Sequence, residues 1–354
     1  MTDVLAEGVK EKTVGAVSPL AQFFKSTLMK PRTGEIATPP QGFMSAALDP
    51  SRFMPAHFMP SRFMPALRSY SGLRHRDSGA DRAPETLGRI GTLEVRLAVT
   101  AKDVRRAQRV RYEVFYEEMS AIPVAAARLA RRDFDAFDAV CDHLLVVDHA
   151  EIHTTARGKK RPKVVGTYRL LRQEVAVRHG GFYTQSEFDI APLIARHPHR
   201  RFLELGRSCV LASYRNKRTV ELLWHGIWAY VRRHGIDVMF GCASLEGTDP
   251  QALARPLAFL HHFVPGAPEW QACALARHAT PMDVMPREAV DAKAALGELP
   301  PLIKGYLRLG AQIGRGAVVD RQFGTTDVLI VLPVENISPR YLGHFGINGE
   351  RHAA

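Results

Sequence analysis

Glu204 and Arg207 stand three residues apart in the run Arg201-Phe-Leu-Glu-Leu-Gly-Arg-Ser-Cys-Val-Leu211. Side chains alternate along a flat strand, so the two would face opposite sides. Gly206 permits a bulge that brings both onto one side. A basic segment follows, with Arg215, Lys217 and Arg218 just ahead of a helical pattern that opens near Thr219. Free backbone N–H groups and the dipole at a helix start suit a phosphate group, and the cations add to that pull. A carboxylate and a guanidinium beside an anion-binding turn point to chemistry on an acyl thioester. Glu204 and Arg207 either act in that chemistry or brace the strand as an ion pair.

Acids cluster upstream, in Asp133-Phe-Asp-Ala-Phe-Asp138 and then Asp142-His143. A calcium loop would need its glycine and terminal glutamate, which are absent. The acids therefore read as a receptor for a cationic substrate or as a plain acidic loop. Two arginines fall in apolar surroundings: Arg111, on one helical face with Val104, Ala107, Val114 and Phe115, and Arg169, inside Val165-Gly-Thr-Tyr-Arg-Leu-Leu171. A buried guanidinium needs a partner, so each either pairs within the fold or points into a cleft. Cys209 lies in an apolar strand with no adjacent His or Lys to activate it, which makes it an inert thiol rather than a nucleophile. His261 and His262 lack a third ligand nearby, and no metal is expected.

The elements that must hold these groups are legible from periodicity. Thr92 to Val99 alternates as a strand, and Asp103 to Met119 repeats as a helix. Leu144 to Val147 and Pro162 to Leu171 read as strands, the latter after a basic hairpin tip at 157–161. After the central strand, Val220, Leu223, Trp224, Ile227, Trp228 and Val231 recur at helical spacing, and Gly235 marks the stop. Asp237 to Ala243 and Asp327 to Val334 read as strands; Asp249 to His262 and Pro301 to Ile313 read as helices. Strands mixed with helices at this size imply an α/β or α+β domain with one mixed sheet.

Residues 1–90 differ: they are rich in Pro, Ser and Gly and repeat Ser-Arg-Phe-Met-Pro-Ala at Ser51 and Ser61. Regular proline prevents helix and paired strand there. The segment is either a disordered linker or a sticky Phe/Met surface for lipid or a partner; residues 10–32 hold a weak amphipathic helix. A domain over 91–345 follows, with a C-terminal extension from about 281 and a loose end at 346–354. The net charge of +12 favours anionic partners. The basic residues are spread without aromatic interleaving, so nucleic acid is not the expected partner. Four separated cysteines imply reduced thiols and a cytoplasmic setting. No run is long enough to span a bilayer, and no secretory signal is expected.

The central strand, turn and helix resemble the GNAT acyltransferase fold, a mixed, mostly antiparallel sheet flanked by helices. Tyr214-Arg-Asn-Lys-Arg-Thr219 stands where that family has a glycine-containing pyrophosphate turn. The order of motifs looks like the acyl-homoserine-lactone synthases. Arg111 and Phe115 match their first-helix Arg and Phe, Asp135 and Asp138 their paired acids, Arg169 their strand Arg, and Glu204 with Arg207 their Glu-x-x-Arg. Their Trp falls near Ala121 here. Closer is the hemolysin-like branch of ornithine Nα-acyltransferases, which Val165–Leu171, Glu204–Val210, Pro301–Gly310 and Thr325–Val328 resemble. The likeness spans about 93–345.

That resemblance implies a 3-hydroxyacyl donor on acyl carrier protein, ornithine as acceptor, lyso-ornithine lipid as product, and no resident cofactor. It implies Glu204 as general base, Arg207 as carboxylate clamp or holder of Glu204, and backbone N–H groups near Ser208 to Val210 for the oxyanion. Asp135 and Asp138 would take ammonium groups, with Arg111 and Arg169 tying them together. Arg215, Lys217 and Arg218 would meet the phosphopantetheine phosphate. A one-chain product suggests peripheral contact at the inner face of the cytoplasmic membrane, which the helix at Pro301 either makes or misses by being buried. The rival readings are an acyl-homoserine-lactone synthase and a non-catalytic basic protein binding membrane or nucleic acid.

Overall fold

The computed structural model describes residues 85–342, apart from 155–157 and 159. The Phe-Met-Pro repeat, the helix over 10–32, the centre of the basic hairpin tip and the C-terminal end at 346–354 lie outside the described residues.

The strands are β1 (Thr86–Ile90), β2 (Leu93–Leu97), β3 (Asp142–Thr154), β4 (Lys160–Arg172), β5 (Phe188–Asp189), β6 (Phe202–Val210), β7 (Val238–Glu246), β8 (Cys273–Ala274), β9 (Ala279–Thr280), β10 (Gln312–Asp320) and β11 (Thr325–Pro333). They pair in the order β1-β2-β3-β4-β6-β7-β11-β10-β8-β5, with β9 on β10. The described pairings are antiparallel except β6 with β7 and β10 with β8. The helices are α1 (Ala101–Tyr112), α2 (Ala125–Ala130), α3 (Gln173–Arg178), α4 (Ala191–Arg196), α5 (Lys217–His234), α6 (Ala254–Phe263), α7 (Ala292–Glu298), α8 (Pro301–Arg308) and α9 (Pro339–Leu342). The expected mixed, mostly antiparallel sheet flanked by helices is the observed one.

α5 is the crossover between the parallel strands β6 and β7, which a parallel pair requires. Asn216 caps it by accepting the Thr219 N–H at 3.1 Å, worth about 1 kcal/mol. Gly235 closes it in the left-handed region, φ 57°. Its buried face runs through Thr219, Leu222, Leu223, Gly226, Ile227, Tyr230 and Val231. Val220, expected inside, is exposed. Gly226 lets the helix press on β2 and β3: a Cβ there would lie 2.6 Å from Val95 Cγ2.

Several expected bounds move. β1 uses residues expected in the tail, because the Ile90–Leu93 turn folds them back as an antiparallel partner of β2. α1 passes into a π-helical turn at Glu113–Glu118. α6 begins at Ala254, not Asp249, because the Asp249 carboxylate accepts the Gln251 N–H in a turn of its own. α8 ends at Arg308, where Gly310 turns with φ 93°, and Ile313 belongs to β10. Ile303, Tyr306 and Leu307 of α8 are buried, so most of its apolar face is spent on the core, while Leu302 stays exposed. The extension from 281 contributes β10 and β11 to the same sheet. Among the described residues no helix is long and apolar enough to cross a membrane.

Candidate active site

β6 and β7 pair only from Phe202↔Val238 to Glu204↔Phe240 and then part. Gly241 stands at the parting, where a Cβ would lie 2.2 Å from the Leu205 carbonyl oxygen. A cavity of about 10 Å³, near the space of one water, sits there among Leu205, Met239, Phe240, Gly241, Cys242, Tyr306 and Ile330. On the other edge of β6, the register with β4 slips between Thr167↔Cys209 and Arg169↔Gly206. Arg207 and Ser208 together oppose Tyr168, a bulge. The residue in the left-handed region is Arg207 itself, φ 49°, and not Gly206. A side chain held there costs about 1 kcal/mol or more, so the bulge aims Arg207 at the expense of backbone comfort.

Two residues of β6 converge on Tyr183. Glu204 is buried and accepts the Thr184 N–H at 2.6 Å and the Tyr183 N–H at 3.1 Å. Burial pushes its carboxyl up, and these donors oppose the rise. The Arg207 guanidinium lies 4.9 Å from the Tyr183 ring centre and 4.8 Å from that of Phe323. Of the two readings of Glu204 and Arg207, the bracing ion pair does not form. Glu204 is already taken by the backbone of the turn at Tyr183–Ser186, and Arg207 turns toward Asp133 (Nε–Oδ2 3.4 Å) and Asp135 (Nη2–Oδ2 3.5 Å).

The acids of 133–138 divide. Arg111, with no exposed surface, forks onto Asp138 at 2.9 and 2.7 Å and meets Asp133 Oδ2 at 2.8 Å. Asp138 also accepts from Gln108 Nε2 at 3.0 Å and the Asp135 N–H at 3.3 Å. Burial alone would raise it, but Arg111 and Arg169 outweigh burial and hold it well below the usual range. Its acceptor positions are thus filled inside the fold, which leaves no place for the ammonium group expected there. Asp135 is partly open and takes Arg169 Nη1 at 2.7 Å on both oxygens. Phe115 stacks edge-on against Phe323, ring centres 5.6 Å apart, and so touches the ring beneath Arg207.

The basic turn is also divided. Arg215 forks onto Glu118 and donates to the Val210 carbonyl at 2.9 Å. Lys217 lies 3.4 Å from Glu221 on the same helix. Arg218 is exposed at the helix start, open to an anion. Cys209 is buried, which pushes its thiol up to about 12, so it stays protonated.

Glu187, Asp320 and Asp327 were not singled out from the sequence. Glu187 lies just ahead of β5, Asp320 ends β10 and Asp327 is in β11, with carboxylate oxygens within 4.8 Å of one another. Burial, then Asp327, raises Glu187 to about 7; burial raises Asp327 to about 6. Asp327 carried a signal, as a lone charge in Thr325-Thr-Asp-Val-Leu-Ile-Val-Leu332. The folded chain keeps the Glu187 proton up to about pH 7, whereas the unfolded chain releases it near 4.5. The folded state then binds more protons, so stability falls as pH rises through that window. Glu187→Gln is expected to remove about 1–3 kcal/mol of that fall. Urea unfolding at about pH 5 and pH 8 reads it, and an unchanged difference between the two would contradict it.

The family model for the Acetyltransferase (GNAT) domain matches residues 110–225, from α1 into α5. The chain is 56% identical over 264 residues to an L-ornithine N(alpha)-acyltransferase of Agrobacterium fabrum, covering 75% of this chain and 88% of that protein. It is 54% identical over 279 residues to one of Rhizobium meliloti, covering 79% and 93%. Among solved structures it is similar to FeeM, an N-acyl amino acid synthase from uncultured soil microbes, at 11% identity and TM-score 0.37, covering 72% and 93%.

Proposed function

The chain belongs to the family of L-ornithine N(alpha)-acyltransferases, and we propose that it moves a 3-hydroxyacyl group from acyl carrier protein to the α-amine of L-ornithine, giving lyso-ornithine lipid. The acceptor rests on relatives more than half identical across nearly their whole length. The observation in the fold that supports it best is Arg207, carried on a strained bulge between two aromatic rings and only loosely met by carboxylates.

The neutral α-nitrogen attacks the thioester carbonyl carbon, and a tetrahedral oxyanion forms. The C–S bond then breaks, the amide forms, and the nitrogen's proton leaves with the departing sulfur as thiol. Arg207 offers a fork for the ornithine carboxylate, since its contacts with Asp133 and Asp135 are long. Ser208, the second bulge residue, brings the backbone N–H groups near 208–210 into play for the oxyanion. Glu204 acts here as a positioning residue: it fixes the turn that sets Tyr183 against Arg207. No resident cofactor is required, because the thioester arrives on the carrier's phosphopantetheine arm. Arg218, with the start of α5, meets the phosphate of that arm. The carrier is acidic and the chain basic, which speeds encounter at low salt. A product with one acyl chain and a polar head favours a membrane surface, which supports a peripheral site for the reaction.

The test is release of carrier thiol from a 3-hydroxyacyl carrier with ornithine or with S-adenosylmethionine as acceptor. Turnover with ornithine alone supports the proposal; turnover with S-adenosylmethionine alone assigns the chain to lactone synthesis. Arg218→Glu is expected to raise the KM for carrier protein about tenfold or more with kcat little changed. Loss of kcat alone would remove the phosphate role.

A further inference from the structure

We infer that Glu187, Asp320 and Asp327 form the receptor for the substrate's side-chain ammonium group, an inference that rests on the ornithine reading above. Glu187 follows the turn that Glu204 anchors, Asp320 ends β10, and Asp327 sits in β11 opposite Ser244. One carboxylate oxygen from each lies within 4.8 Å of the others. Glu187 is only 9% exposed, and its Oε2 is buried without a hydrogen-bond partner. The donors that do reach the group are neutral. Thr325 Oγ1 gives to Asp327 at 2.9 Å, and the N–H groups of Gln322 and Phe323 give to Asp320 at 2.8 and 3.0 Å. Asp320 is half-buried and leaves the group an open side.

An orphaned, buried carboxylate oxygen among two further acids calls for a cation. An alkylammonium carries three N–H donors, one for each acid. Oxygens no more than 4.8 Å apart let one nitrogen sit between them within about 2.8 Å of each, in reach of charge-assisted N–H···O bonds. A cation bound among the three acids displaces the proton that Glu187 otherwise keeps to about pH 7, and the ionised group then resists loss of that charge. That suits the δ-ammonium, which stays charged, and not the α-amine, which must arrive neutral to attack. The group also neighbours Arg207, since Phe323 follows the Asp320 turn and lies under the guanidinium. A carboxylate clamp and an ammonium receptor side by side match the two charged ends of a basic amino acid.

The test compares ornithine with norvaline, which lacks only the δ-nitrogen, in wild type, Glu187→Gln and Asp320→Asn. Wild type is expected to prefer ornithine strongly by kcat/KM. Glu187→Gln should cut that preference by about thirtyfold or more and Asp320→Asn by about tenfold, mostly through KM for ornithine. Equal losses on both substrates would overturn the receptor, as would a preference that appears only with added magnesium or calcium. A wild type that acylates norvaline as well as ornithine overturns the receptor and leaves the acyltransferase reading standing. A wild type that acylates neither overturns both.

Discussion

Arg207→Lys is expected to lower kcat/KM for ornithine by about 10²–10³-fold while leaving the unfolding midpoint nearly unchanged. Of the buried arginines, Arg111 has no side-chain exposure and Arg169 has 4%, whereas Arg207 keeps 15%. Its nitrogens stand 3.4 and 3.5 Å from the nearest carboxylates, too far for full charge-assisted bonds. Tyr183 and Phe323 hold the plane of the guanidinium, so its fork is aimed before substrate arrives. Lysine keeps the charge but loses the plane and the second donor. Arg207→Gly separates side chain from backbone: it relieves the left-handed strain at φ 49° yet should be at least as inactive. A lysine variant within threefold of wild type would reduce Arg207 to a bulge residue without a role in recognition.

Arg111→Met is expected to cost about 3–5 kcal/mol of stability at neutral pH, read by urea unfolding. The guanidinium joins Asp133 and Asp138, which expose 4% and 5% of their surface, so its loss strands two buried carboxylates. The sign with pH is set by Asp138, held below its usual range by Arg111 after the opposing effect of burial. In the native chain this pair contributes above the unfolded carboxylate pKa, near 3.8, and its contribution is lost as pH falls below that. The variant should therefore approach wild type in acid. A loss under about 1 kcal/mol at pH 7 would mean that the network is not the brace inferred for it.

The strand, turn and helix at 201–235 were legible because their signals are local: apolar crowding, helical spacing and a terminal Gly. Arg111 and Arg169 were legible as cations in apolar stripes that needed partners. Which acid each would take was not legible, since the division of Asp133, Asp135 and Asp138 depends on how β3, β4 and β6 pair. The bulge was expected at Gly206, yet the register across β4 and β6 places the left-handed residue at Arg207. Glu187 could not be read at all: it becomes special only where the residue after the Tyr183–Ser186 turn comes up to Asp320 and Asp327. Gly314 and Gly316 interrupt the alternation of β10, which hid that strand inside the apparent C-terminal extension.

The ion pairs also divide the labour within the site. Arg111 and Asp138 close on each other and stiffen α1 against the 133–138 turn. Arg207, Arg218 and the Glu187 group stay incompletely matched, and each faces a charge that the substrates carry.

Tandem mass spectrometry of the product from purified protein, 3-hydroxyacyl carrier and ornithine is the most direct measurement. An amide on the α-nitrogen with the δ-amine free is the predicted product. An acyl group on the δ-nitrogen, or thiol release without any ornithine amide, would contradict the assignment.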